Sequence, residues 1–330
     1  MKKNIVLSIC IASFNHGNSL SRKINELLNY DNSEFEIVVS DNCSTDNTIE
    51  LLEKITDDRF KLIKNRINNG ATSNYMRALS GGTGKYAMFM TDKDSLHHEN
   101  LDVVIKNLKV MEFSVGYFSL DYYGTDYTAE FVNDLQSCFE RFAYLSKHPT
   151  GYIFKTNLLR HLDINGRFCS PEVVGCFPFE FLCAELCQNL CCVLLNIPFC
   201  VTSKLILGNQ SETSMSYSEN ARNLFFSPDY RFEMFEKYIR HLSGLNLRRK
   251  IRLKIILLLL RRAHHEAVFG YRDIIKSKPH RIHYKINDNA AQNHNELLIK
   301  RNFFRSLRTT DAFLNNLEKT YVLSEFIINY

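Results

Sequence analysis

The chain has 330 residues, 45% of them apolar and 23% charged, with a formal net charge of +5. That composition supports a large packed core and excludes a disordered or fibrous chain; the charge is too mild for a dedicated nucleic-acid binder, so no nucleic-acid partner is expected. No apolar run approaches the ~20 residues that span a bilayer. The start of the chain lacks an export signal, so the cysteines are expected as free thiols in a cytoplasmic setting.

In chain order, residues 5–12 form a continuous apolar run, the pattern of a strand covered on both faces. Residues 18–28 place Leu20, Ile24, Leu27 and Leu28 on one side of a helix. A second strand over 36–40 ends in the polar loop 41–48, where Ser44 or Asp46 can cap a helix over 48–55. A third strand covers 60–63. The break Asn68-Asn69-Gly70 precedes a helix to about Leu79, and Gly81–Gly84 turns into a fourth strand, 86–90, which ends on Asp92-Lys93-Asp94. A helix over 100–110 follows.

The second half is less regular. The pattern predicts a strand over 115–120, a helix over 129–145, and a turn at His148 into a strand over 152–154. A helix over 178–190 follows, with proline in its first turn, then strands near 193–197 and 204–207. From residue 228 onward the pattern is helical, for example 230–242 and 247–269. The expected organisation is an α/β domain over 1–225 (a nucleotide-binding half, 1–110, and an acceptor half, 111–225), then a helical region over 226–330.

Alternating strands and helices imply a mostly parallel sheet, whose ligands bind outside the carboxyl ends of the strands. Asn15, Asp41, Asp92 and Asp94 all follow strands and would face one crevice. Two carboxylates two residues apart in a turn can bind Mn²⁺ or Mg²⁺ and through it a diphosphate. A bare Asp-x-Asp is usually a solvated turn; its place after a buried strand is what favours a site. Asp41 can equally contact a nucleotide or shape its own turn.

Four blocks carry a family resemblance. They are Ser8-Ile-Cys-Ile-Ala-Ser-Phe-Asn15, Ile37-Val-Val-Ser-Asp-Asn-Cys-Ser-Thr-Asp46, Asn68-Asn-Gly70 with Asn74, and Lys85-Tyr-Ala-Met-Phe-Met-Thr-Asp-Lys-Asp94. In order and spacing they resemble the family 2 glycosyltransferases of the GT-A fold. The resemblance implies inverting transfer of a sugar from a nucleotide-diphosphate sugar to a saccharide acceptor, which can be lipid-linked, in surface-polysaccharide synthesis. It places Ser13, Phe14, Asn15, Asp41, Asn68, Asn74, Asp92 and Lys93 at the nucleotide-sugar, and Asp92 and Asp94 on the metal, with Asp94 the direct ligand. The chain departs from the pattern at Ser13 (often proline), at Phe14 (usually tyrosine) and after Gly70, where the usual Ala-Arg-Asn is missing.

An inverting transfer needs a general base. Family members carry an acid at a helix start beyond the metal pair, and Glu180 is the choice here, with Glu172 and Glu185 as runners-up. A helix-terminal acid favoured by the dipole is the plainer account of Glu180. Residues 148–154 can shape the acceptor or sugar pocket, and residues 208–213 can close over the diphosphate. Cys183, Cys187 and Cys191 recur every four residues; buried core thiols are favoured there over a zinc site. Residues 247–262 join cations to an apolar stretch, which suits either a core helix or peripheral contact with an anionic membrane. The alternatives are a metal-dependent nucleotidyltransferase, which would want an arginine-containing, glycine-rich loop where 13–17 stands, and a non-catalytic nucleotide-sugar-binding module.

Overall fold

The computed structural model describes residues 4–120, 127–189, 191–202, 228–267 and 314–328, with isolated positions between 276 and 310. The chain divides into two compact units, Met1–Ser211 and Glu212–Tyr330. The boundary expected near 225 lies outside the described residues, as do the strand expected at 204–207 and the loop 208–213.

The first unit is built on an eight-stranded mixed sheet in the order β3-β2-β1-β4-β8-β6-β9-β7. Its first half is parallel and contains β1 (Leu7–Ser13), β2 (Phe35–Asp41), β3 (Phe60–Lys64) and β4 (Tyr86–Thr91). β1 lies between β2 and β4, and all seven of its residues are buried. A strand enclosed on both edges and both faces is apolar almost throughout, which is why residues 5–12 do not alternate. In register, Ser13 stands opposite Asp41, and Ala12 opposite Thr91. The three strands therefore stop together, and their loops emerge side by side.

Helices α1 (Gly17–Leu28), α2 (Thr48–Glu53), α3 (Gly70–Ser80) and α4 (Leu101–Val110) connect this half. α1 buries Leu20, Ile24, Leu27 and Leu28, the stripe expected from sequence, in the same core as Ile9, Ile37 and Met88. Full burial of each such side chain is worth roughly 1.5–3 kcal/mol. At Gly17 an added Cβ would stand 2.6 Å from the Cα of Thr48, so only glycine lets the start of α1 lie against the loop after β2. A two-residue strand, β5 (Ser95–Leu96), follows the acidic turn; β10 (Cys200–Val201) pairs with it antiparallel.

The other half of the sheet holds β6 (Val115–Phe118), β7 (Thr128–Val132), β8 (Tyr152–Lys155) and β9 (Cys192–Asn196). β8 runs antiparallel to both β4 and β6, which makes the sheet mixed. The helix predicted over 129–145 is instead the edge strand β7 followed by α5 (Leu135–Arg141). β7 pairs antiparallel with β9, and the Asp134 carboxylate then caps α5 by accepting the Ser137 N–H at 2.8 Å. Short helices α6 (Thr156–His161), α7 (Ile164–Arg167) and α8 (Pro171–Val174) precede α9 (Pro178–Leu186). α9 stops four residues before the predicted 190, so Cys191 lies beyond it and the cysteine spacing does not make one helical face. Cys183 and Cys187 are buried, and burial raises their thiol pKa values, keeping them protonated.

The second unit contains α10 (Pro228–Gly244), α11 (Arg249–His265) and α12 (Asn316–Ile328). On α11, Ile255, Ile256, Leu257, Leu259 and Leu260 are buried, while Arg248, Arg249, Lys250 and Lys254 are exposed. The apolar stretch of 247–262 thus packs within its own unit. No helix among the described residues is long and apolar enough to cross a membrane.

Candidate active site

The loops after β1, β2 and β4 are bonded into one structure. Phe14 N–H donates to Oδ2 of Asp92 at 3.1 Å, joining the first loop to the acidic turn. Asn15 joins the first loop to the second: its N–H donates to the Ser44 hydroxyl at 2.9 Å, and its Oδ1 accepts the Thr45 N–H at 2.8 Å. Asn15 has φ 57°, a left-handed conformation that asparagine tolerates better than most residues, so the residue type serves both the turn and the suture. Phe14 beside it is 40% exposed, an aromatic side chain open to solvent next to the joined loops.

Asp41 is fully buried, and both its carboxylate oxygens are engaged by Ser44, Oδ2 by the N–H at 2.9 Å and Oδ1 by the hydroxyl at 2.5 Å. In this state it shapes the loop after β2. Ser13 is buried, and its carbonyl accepts from Asn42 N–H at 2.9 Å and from Asn74 Nδ2 at 3.2 Å. Asn74 Oδ1 in turn accepts from Asn65 Nδ2 at 3.1 Å. Asn68 accepts from Asn42 Nδ2 at 2.7 Å and from Gly70 N–H at 2.9 Å. Asn68 and Asn74 therefore brace the ends of β1 and β2 through two linked amide chains.

The acidic turn is buried: Asp92 is 7% exposed and Asp94 1%. Burial raises the Asp92 carboxyl above the usual carboxylate range, with nearby His16 and the Phe14 N–H pulling it partly back. On Asp94, Oδ2 accepts the Thr91 hydroxyl at 2.7 Å and also the Thr150 hydroxyl. His148 Nδ1 stands 3.7 Å from the same oxygen. Thr150 Oγ1 also accepts the Thr91 N–H at 3.0 Å, so one threonine fixes both the end of β4 and the aim of Asp94. Lys93 is half-buried and offers its carbonyl to Lys23.

Two features escaped the sequence pattern. Lys23 on α1 donates to the carbonyl oxygens of Asp92, Lys93 and Asp94 at 3.0, 2.9 and 2.9 Å. Lys23 stands beside the buried stripe of Leu20 and Ile24, which marks the face of α1 but not the turn it reaches. Residues 144–146, just ahead of the stretch 148–154 already expected at the acceptor or sugar pocket, are the other. Tyr144 N–H donates to the Glu180 backbone carbonyl and the Ser146 hydroxyl to its carboxylate, while the Thr150 hydroxyl donates to Asp94, so one short stretch touches both acids. Glu180, in the first turn of α9, is 1% exposed. Glu185 is ion-paired with Arg167, and Glu172 is exposed on α8.

The donor set suits a hard divalent cation. Two carboxylates two residues apart sit in a buried turn, and Lys23, bonded to that turn, spends its protons on backbone carbonyls. Among the described residues no third His, Cys, Asp or Glu completes a set of ligands. One or two carboxylates completed by water and phosphate oxygens is the usual provision for Mg²⁺.

Residues 8–168 match the family described as Glycosyl transferase family 2. Abequosyltransferase RfbV of Salmonella typhimurium is 29% identical over 105 residues, 30% of this chain and 32% of that protein. The UDP-Glc:alpha-D-GlcNAc-diphosphoundecaprenol beta-1,3-glucosyltransferase WfaP of Escherichia coli is 32% identical over 89 residues, 27% of this chain and 36% of that one. The chain spans about a third of the length of these curated relatives. Residues 1–349 of S. aureus TarS in complex with UDP-GlcNAc superpose with a TM-score of 0.62 at 19% identity, covering 99% of this chain and 89% of that one, which establishes the fold.

Proposed function

We propose, because residues 8–168 match glycosyl transferase family 2, that the chain is an inverting glycosyltransferase that moves a sugar from a nucleotide-diphosphate sugar to a lipid-linked saccharide in surface-polysaccharide synthesis. The observation that carries this reading is the joining of the β1, β2 and β4 loops at one crevice, with the buried pair Asp92 and Asp94 at its centre. The relatives are consistent with it: WfaP is named for UDP-Glc and a diphosphoundecaprenol acceptor, TarS holds UDP-GlcNAc, and a Pyrobaculum calidifontis mannosyltransferase of TM-score 0.51 holds GDP-Man and Mn²⁺.

The roles divide by position. Ser13, Phe14 and Asn15 receive the nucleoside, with the exposed Phe14 ring against the base. Asp41, Asn68 and Asn74 support that wall, and Lys93 borders the diphosphate. Asp94, aimed by Thr91 and Thr150, holds Mn²⁺ or Mg²⁺ together with Asp92. Such a cation, when bound, offsets the charge of the departing nucleotide diphosphate. Glu180 takes the proton from the acceptor hydroxyl, and Ser146 holds its carboxylate until the acceptor arrives. The peripheral membrane contact that suits a lipid-linked acceptor falls to the exposed cations Arg248, Arg249, Lys250 and Lys254.

A thermal-shift screen of UDP, GDP, dTDP and CMP, each with and without Mn²⁺, tests the reading, because a ligand that binds only the folded chain raises its melting temperature. One diphosphate should stabilise the chain in a Mn²⁺-dependent manner, and Asp94→Ala should abolish the effect. Failure of all four to shift the melting temperature would reject the reading.

A further inference from the structure

The backbone of the turn that carries Asp92 and Asp94 is bonded from outside by the side chain of Lys23. Lys23 reaches from α1 and donates to three successive carbonyl oxygens, at 3.0, 2.9 and 2.9 Å. An ammonium carries three protons, so all of them are used on this turn. Three neighbouring carbonyl dipoles that converge on one point repel each other unless a cation sits between them. Here that cation is tethered to α1, whose Leu20, Ile24 and Leu27 are fixed in the core. The turn's backbone is thus referenced to the sheet through a helix 69 to 71 residues away in sequence. Through these carbonyls Lys23 sets the peptide planes from which both carboxylates project.

We propose that Lys23 is a positioning residue: its ammonium fixes the backbone of Asp92-Lys93-Asp94 and thereby the aim of the two carboxylates toward a divalent cation. The second half of this statement rests on the function proposed above, and the first does not. The geometry also limits replacement. A planar guanidinium cannot place three donors on one point, so arginine does not restore the turn. Methionine fills the space of the stem and leaves the carbonyls without a cation.

Two amides report the turn directly. Phe14 N–H bonds the Asp92 carboxylate, and Asp94 N–H bonds the Thr91 carbonyl at 3.3 Å. Hydrogen exchange at these amides is to be measured in the full chain for the wild type, Lys23→Met and Lys23→Ala. Mn²⁺ binding in the presence of UDP is followed on the same proteins by electron paramagnetic resonance. In Lys23→Met the two amides should exchange about tenfold faster or more, and Mn²⁺ affinity should fall about 10–100-fold, the usual effect of losing a group that orients metal ligands. In Lys23→Ala, n-propylammonium, which replaces the missing atoms, should restore both readouts. Tetramethylammonium, which has no N–H, should restore neither. A general loss of folding would not respond to one amine and ignore the other. Wild-type exchange and Mn²⁺ affinity in Lys23→Met, or equal rescue by both amines, overturns the proposal. Faster exchange with amine rescue in a protein that never binds Mn²⁺ leaves the hold on the turn standing and removes the metal reading instead.

Discussion

Asp92 shows how a single residue can serve a site at the expense of the fold. Its carboxyl is raised above the usual range because burial outweighs the help of His16 and the Phe14 N–H. A raised acid favours its neutral form in the folded chain. Its cost is absent below the unfolded value of ~3.9 and grows as pH climbs through the folded one. Asp92→Asn, which still accepts the Phe14 N–H, should therefore raise the melting temperature of the metal-free chain at pH 8 while abolishing transfer, and the gain should shrink toward pH 4. Equal gains at both pH values would contradict this assignment. Glu180→Gln should lower kcat by about 10²–10⁴-fold with donor affinity unchanged, the range for a lost general base; a kcat within threefold of wild type, measured in the transfer assay, moves that role elsewhere. Asp92, Asp94 and Asn15 could be found from sequence because they end strands. Lys23 could not: it lies 69 to 71 residues from the carbonyls it bonds, and helical periodicity does not connect it to them; Thr150 lay within the stretch 148–154 expected at the acceptor or sugar pocket, but its bond to Asp94, 56 residues away, was not legible.

At the scale of elements, the parallel half of the sheet was legible because β1 and β4 are enclosed and so almost uniformly apolar. In the other half β6, β8 and β9 were legible as short apolar runs, but β7 was not, because it lies at the sheet edge, with three of its five residues exposed and only Val132 buried. An edge strand has no enclosed face to impose alternation, and its short run merged with the helical pattern of α5. The contact between α1 and the loop after β2 makes a sharper claim. Gly17 is not in a left-handed conformation; it is required because a Cβ would meet the Thr48 backbone at 2.6 Å. Gly17→Ala should thus cost about 1–3 kcal/mol by forcing two backbones apart. Since Asn15 sutures the same two loops, nucleotide affinity should fall with stability in chemical denaturation and binding titrations. An alanine variant as stable as wild type would show that the loops can separate freely.

For the whole molecule, the first unit carries the family match and the second carries the exposed cations. The sequence left α11 open between a core helix and a membrane-surface helix. Its buried leucines and isoleucines favour contact through charge over insertion of an apolar face. Binding to vesicles with 30% anionic lipid should then be lost when salt rises to about 1 M, where the Debye length is ~3 Å. Replacing Arg248, Lys250 and Lys254 with glutamine should weaken that binding at low salt. Salt-resistant flotation would instead indicate an inserted segment. The central claim, sugar transfer at a cation held by the Asp92-Asp94 turn, is tested most directly by incubating the chain with Mn²⁺, a panel of radiolabelled nucleotide-diphosphate sugars and lipid extract, and counting label in the organic phase. The account predicts label from one donor, dependent on Mn²⁺ and lost in Asp94→Ala; incorporation that survives both chelation and Asp94→Ala would contradict it.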